Sequence, residues 1–214
     1  MKITIVYDNE VKQPELKADW GFSSLIETQD APPILFDTGA DGSILLHNMS
    51  QLKIDPSSIG IVVISHPHWD HSGGLEDLLK VNKDAELCLP QSFPTEGISG
   101  RKITLIKEPL QIRKNIFSTG ELDGIEQSLV VNTDKGLLVL VGCSHPGVGN
   151  ILDAASRFGQ VYGIIGGFHG FDDFKRLEGL PFICPCHCTA HKAEVKRLFA
   201  AQCMDCSAGV VIEL

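Results

Sequence analysis

Apolar positions recur along the chain with a period of two in some segments and near 3.6 in others, and the switches outline short strands and helices. Lys2–Tyr7 is rich in β-branched side chains and reads as a first strand. Residues 20–28, through Ser23–Glu27, predict a second, and Ile34–Phe36 a third that ends at Asp37-Thr38-Gly39. Residues 43–52 place Leu45, Leu46, Met49 and Leu52 on one face of a helix. Residues 61–64 form an unbroken apolar run, as expected of a strand covered on both faces, and lead straight into Ser65-His66. After Gly73-Gly74 the stretch 75–81 reads as a helix. In the second half, 87–89 and 102–106 are short strands, and 128–133 with 136–141 form a hairpin turning at Asp134-Lys135. Helices are predicted over 148–158 and 190–201, and strands over 161–165, 182–183 and 210–212. Each half has strands feeding a histidine-bearing loop and then a helix. The pattern predicts an α/β protein of two similar halves packed face to face, with the site at the strand ends.

Composition narrows this picture. At 214 residues without a low-complexity tract or long linker, a single domain over 1–214 is expected. The net charge of −9 and the lack of a Lys/Arg stripe argue against nucleic acid as the main partner. No apolar run approaches the roughly 18 residues of a membrane span. The start of the chain lacks the basic stretch, apolar core and small-residue cleavage site of a signal peptide, so a cytoplasmic protein is expected. A small molecule is the expected partner; the oligomeric state stays open. Five of the seven cysteines, Cys184, Cys186, Cys188, Cys203 and Cys206, crowd the C-terminal end. In a reducing compartment they read as thiols or metal ligands before disulfides.

Candidate chemistry is concentrated in Ser65-His66-Pro67-His68-Trp69-Asp70-His71-Ser72-Gly73-Gly74, directly after the apolar run. Imidazole and carboxylate are donors for zinc, iron, manganese and similar divalent ions. His66 and His68 can address one ion from an extended loop while Asp70 and His71 turn toward a neighbouring one. This segment resembles the His-x-His-x-Asp-His signature of the metallo-β-lactamase superfamily. Asp37-Thr38-Gly39 is similar to that family's Asp-x-Gly turn, whose carboxylate supports the ligating imidazoles. A narrower resemblance runs through Tyr7-Asp8-Asn9, residues 20–23, 142–147, 166–169 and 185–189. It points to a branch containing archaeal dihydropterin-methyl ribofuranosylaminobenzene 5′-phosphate synthases and uncharacterised metal-dependent hydrolases. The resemblance implies an αββα sandwich of two mixed β-sheets with helices on the outer faces. It also implies one or two bound ions, zinc first, with iron or manganese as alternatives.

A two-metal site of this kind needs donors from the second half. His145 follows an apolar strand and a Gly turn, and His187 precedes the last helix where the superfamily's final ligand sits. Both are expected ligands. His169, after a Gly pair at a strand end, is either a ligand or a substrate-facing acid, the second being favoured. His47 and His191 lie on helical stretches and read as structural. One departure stands out. The superfamily's bridging Asp is missing, because Gly142 is followed by Cys143. The second ion therefore has fewer ligands, a thiolate from Cys143, or is absent; His145 is favoured over Cys143 as a ligand. Glu121 lies near the place of a further histidine motif. At the C-terminal end only Cys188 matches the family pattern. Cys184, Cys186, Cys188, Cys203 and Cys206 together have the spacing of a separate thiolate metal or redox site, and also suit small buried thiols.

These residues predict a hydrolase in which a metal-activated water attacks an ester, lactone or phosphoester. Asp70 would serve as ligand and proton acceptor, and His169 as the group facing the leaving atom. A pterin-related synthase of the methanopterin type is the first alternative. A redox or electron-transfer protein, with iron at the superfamily site or metal at the cysteines, is the second.

Overall fold

A computed structural model describes all residues, 1–214. In chain order the elements are β1 Lys2–Tyr7, β2 Ser23–Glu27, β3 Ile34–Phe36, α1 Gly42–Gln51, β4 Ile61–Val63, α2 Trp69–Ser72, α3 Leu75–Val81, β5 Glu86–Pro90, β6 Ile103–Ile106, β7 Leu110–Arg113 and β8 Ile116–Ser118. They continue with β9 Leu129–Thr133, β10 Gly136–Val141, α4 Val148–Ser156, β11 Val161–Gly167, β12 Phe182–Cys186, α5 Lys192–Leu198 and β13 Val211–Glu213.

The strands form two mixed sheets, a seven-stranded one in the order β13-β1-β2-β3-β4-β5-β6 and a six-stranded one in the order β12-β11-β10-β9-β8-β7. Each has an antiparallel half of hairpins and a parallel half joined by crossovers. Three apolar layers follow from the strand period of two. Ile3, Ile5, Ile61 and Val63 of the first sheet meet Leu138, Leu140 and Ile165 of the second in the central layer. The opposite face of the first sheet, with Val62 and Leu87, packs on Leu45 and Met49 of α1 and Leu75 and Leu78 of α3. The opposite face of the second, with Leu137, Val139 and Val141, packs on Val148, Ile151 and Ala155 of α4 and Val195 of α5. This is the αββα sandwich of the metallo-β-lactamase fold. Burial on both faces explains why β4 and β10 are apolar at every position.

Differences from the predicted elements have local causes. The hairpin β7–β8 was not anticipated; it lies at a sheet edge, turns at Asn115 (φ 62°), and its polar residues reach solvent. β12 runs on through Cys184-Pro185-Cys186, and proline is tolerated because this is an edge strand. α5 is shorter at both ends than 190–201. Residues 69–72 close into a helical turn, with His68 still extended at its N-terminus (φ −65°, ψ 146°). That turn reverses the direction of the side chains that follow His68.

Candidate metal centre

Loops at the strand ends of both sheets converge on one set of side chains. β4 delivers Ser65 to His71, the turn after β10 delivers Cys143 and His145, and the turn after β12 delivers His187. Several of these turns force non-glycine residues into the left-handed region. Asp37, Ser144, His169 and His187 have φ of 59°, 60°, 47° and 49°. Such conformations cost about 1–3 kcal/mol each and gather where function demands them.

Two donor groups result. His66, His68 and His145 bring one ring nitrogen each within 4.8 Å of one another, and Asp70, His71, Cys143 and His187 do the same with one atom each. The rings interlock: His66 lies 4.2 Å from His71, 4.6 Å from His68 and 4.8 Å from His145 between centroids. The motif thus divides at Trp69, with His66 and His68 on one side and Asp70 and His71 on the other. Cys143 and His145 both join, in different groups. His169 is exposed at the rim, its ring 5.2 Å from that of His145, outside both groups.

The hydrogen bonds fix which ring nitrogens are free. Buried Asp37 accepts from Ser65 N (2.7 Å) and Ser65 Oγ (2.8 Å), and faces His71 Nδ1 at 2.7 Å. Because the Ser65 hydroxyl gives its proton to Asp37, it accepts from His66 Nδ1 at 2.9 Å. His187 Nδ1 meets the side-chain oxygen of Asn9 at 3.1 Å, an atom that only accepts. His66 and His71, which burial keeps neutral, therefore carry their protons on Nδ1 and present bare Nε2 atoms, and His187 holds a proton on Nδ1 toward Asn9. The Nε2 atoms of His71 and His187 stand 3.2 Å apart. His187 Nε2 is also 3.2 Å from Asp70 Oδ2, and His71 Nε2 is 3.1 Å from Cys143 Sγ. His66 Nε2 and His145 Nε2 are buried and have no hydrogen-bond partner. Four donor atoms gathered this closely are placed as they would be around a single cation. Donors bound at about 2.0–2.1 Å in a tetrahedron stand about 3.3 Å apart, so the spacing suits an ion of zinc's size.

Electrostatics agree with ligation. Burial, followed by neighbouring imidazoles, lowers the pKa of His66 and His71 far below the usual range and that of His145 more modestly, leaving the neutral form that binds metals. The adjacent Cys188 thiol and burial push the Cys143 thiol up, so a thiolate there calls for a cation beside it.

Three supporting residues escaped the sequence reading as site members. Trp20, 47% exposed, donates Nε1–H to Asp70 Oδ2 (3.0 Å), and its ring lies 5.1 Å from that of His187. Asn9 holds His187 from two sides, its amide also donating to the His187 carbonyl (3.0 Å). Buried Glu126 accepts from the backbone N–H groups of Gly142, Ser144 and His145 at 3.0, 3.0 and 2.9 Å, and burial pushes its pKa up to about 7. The recurrent segments around Asn9 and Trp20 were the available signal; for Glu126 there was none. Glu121 instead caps Ser92 N (2.8 Å) near the surface.

The cysteines separate. Cys188 sits beside Cys143, while Cys184, Cys186 and Cys206 lie in the central apolar layer, and Cys203 packs against the outer layer over α4 and α5. His47 bonds the Glu15 carbonyl, and His191 stands at the start of α5, both outside the donor groups. A cavity of about 530 Å³ beside α3, lined by Leu75, Leu79, Phe93 and Ile98, touches none of the donors.

A two-sheet sandwich with paired histidine-rich donor groups at its strand ends defines an α/β protein with candidate metal-binding sites. Residues 20–149 match the family model for the metallo-beta-lactamase superfamily, and the chain belongs to that superfamily. It is 31% identical to the 7,8-dihydropterin-6-methyl-4-(beta-D-ribofuranosyl)-aminobenzene-5′-phosphate synthase of Methanocaldococcus jannaschii, over 81% of this chain and 82% of that protein. It is 29% identical to the uncharacterized protein MJ0448 of the same organism, over 91% and 93%. Among solved structures it is similar to Tm1679, described as a metal-dependent hydrolase of the beta-lactamase superfamily, at 28% identity and a TM-score of 0.79 over 100% of this chain and 99% of that one. No helix is long and apolar enough to cross a membrane.

Proposed function

We propose that the protein is a metal-dependent hydrolase of an ester, lactone or phosphoester, with ions held by His66, His68 and His145 and by Asp70, His71, Cys143 and His187. The observation carrying this reading is the convergence of seven donor atoms in two groups, with His66 Nε2 and His145 Nε2 buried and without a hydrogen-bond partner. In the first group, three protein donors leave a fourth position free, the feature that separates sites of reaction from closed structural sites. A bound divalent ion supplies Lewis acidity there, lowering the pKa of a water from about 16 toward 7. A thiolate among the donors favours zinc or iron over ions that prefer oxygen.

The protein's own groups do the rest. Asp70, oriented by the Trp20 indole, accepts the proton released by the attacking water. His169, exposed beyond His145, gives a proton or hydrogen bond to the leaving atom. Trp20 and Trp69, 47% and 63% exposed, offer apolar walls to a small-molecule substrate. The test is hydrolysis of aryl esters, lactones and phosphodiesters by zinc-loaded and demetallated protein. Equal rates in the two samples would rule the mechanism out.

The 31% identity to the archaeal synthase favours one alternative, a condensation involving a dihydropterin and an aminobenzene ribotide. Release of diphosphate from a dihydropterin diphosphate in the presence of that ribotide, with no hydrolysis of simple esters, moves the assignment there. A brown protein containing iron moves it to electron transfer.

A further inference from the structure

A third group of donors lies apart from the seven already described. Asp8, Cys186 and Cys206 bring a carboxylate oxygen and two sulfurs within 4.8 Å of one another. Asp8 and Cys186 are 0% exposed and Cys206 is 2% exposed. Asp8 Oδ1 accepts from Glu10 N at 3.2 Å, but Oδ2 is buried with no hydrogen-bond partner. The nearby Lys192 ammonium pairs with Glu10 and forms no ion pair with Asp8. The Cys186 thiol reaches the Asp8 carboxyl as a weak donor, and a buried carboxylate so poorly satisfied is costly unless a cation or a proton completes it. Two thiols beside it point to the cation, because sulfur and carboxylate together suit a thiophilic divalent ion.

The place of these residues in the fold gives such an ion a role. Asp8 follows the end of β1 in the first sheet, and Cys186 ends β12 at the edge of the second. Cys206 sits on the segment that carries the chain from α5 back to β13, which pairs with β1. Cys184 lies on the same face of β12, with the Cys206 thiol as its neighbour. We propose that Asp8, Cys186 and Cys206, with Cys184 available as a fourth donor, form a structural zinc site that clips the C-terminal segment to the end of β1 in one sheet and to the edge strand β12 of the other. Binding releases the thiol protons to solvent and changes no oxidation state. Two of the donors immediately precede residues of the metal centre, Asp8 before Asn9 and Cys186 before His187, so the clip also steadies the turn that presents His187.

The test counts zinc per chain by mass spectrometry after loading with zinc and removal of the excess. Cys206→Ser and Cys186→Ser should each hold one equivalent less than wild type and melt at lower temperature, whereas His68→Ala should lose its zinc from the metal centre instead. Equal zinc in wild type and a folded Cys206→Ser overturns the proposal. A second measurement covers the case in which these variants fail to fold. In Cys143→Ser no thiolate remains in the metal centre's donor set, so zinc–sulfur scattering in its X-ray absorption spectrum reports the new site. Absence of that scattering, or a Cys186–Cys206 disulfide in the isolated protein, overturns the proposal.

Discussion

His66, His68 and His145 meet as three imidazoles, one of them exposed, whereas Asp70, His71, Cys143 and His187 meet as four donors of three kinds, all buried. The first group is open. The second is closed, and its members are tied from behind by Asp37, Asn9 and Trp20. An open imidazole set leaves room for a reacting molecule, and a closed set with a thiolate holds its ion without exchange. Under the proposed function, this contrast would put the reaction chiefly at the first group, with the second as its anchored neighbour. Yet one carboxylate underlies both, since Asp37 reaches His71 directly and His66 through Ser65.

Asp37→Ala is therefore the change that most severely breaks the contrast. It strips the acceptor from Ser65 N, Ser65 Oγ and His71 Nδ1 at once, all of them buried. Each buried donor left without an acceptor costs about 1–3 kcal/mol, and loss of a ligand's supporting carboxylate typically weakens metal binding by about 10–100-fold. Thermal melts and zinc titration should show both groups weakened together. Weakening of only one group would mean that Asp37 serves one side alone.

His68→Ala separates the groups. His68 is exposed, so the fold should hold to within about 0.5 kcal/mol, as for an ordinary surface change. Zinc should fall by one equivalent and hydrolysis should be lost, with the second group still loaded. Retained activity in this variant would transfer the reaction to the other group. Cys143→Ser probes the opposite side with a smaller effect. The hydroxyl is a poorer donor to a thiophilic ion, so chelator competition should show the second group weakened by about 10-fold or more, with the first unchanged.

How much of this contrast was legible in the sequence depends on whether neighbours in the chain are neighbours in the site. The motif 66–71 is local, and its division followed from alternation along an extended loop and a turn. β4 and β10 declared themselves by continuous apolar runs. The supports are different. Asn9 and His187 are 178 positions apart, Trp20 and Asp70 are 50 apart, and Glu126 reaches His145 across 19. Such pairs exist only once the two sheets have closed, and no periodicity encodes them. The cysteines show the same limit. Their spacing resembles one cluster, but the edge strand β12 sends Cys184 and Cys186 inward while the following turn carries Cys188 to the metal centre. Cys143 was readable as a departure from the family pattern, whereas its assignment to one donor group required the fold.

Trp20→Phe is the finest of these tests, because it removes one hydrogen bond and keeps an aromatic ring against His187. Phe lacks the indole N–H and the second ring but keeps an aromatic face, and the N–H acceptor, Asp70 Oδ2, is the atom that also faces His187 Nε2. A hydrogen bond of net worth about 1 kcal/mol at this half-exposed position corresponds to roughly five-fold in equilibrium terms. Zinc affinity of the second group should fall by about that factor, and kcat should fall more than KM rises, because Asp70 is held for proton acceptance rather than for substrate binding. Trp20→Ala adds loss of the ring contact and should raise KM as well. If Trp20→Phe matches wild type in both zinc affinity and kcat while Trp20→Ala does not, the indole acts as a wall of the substrate site and Asp70 is oriented by its ion alone.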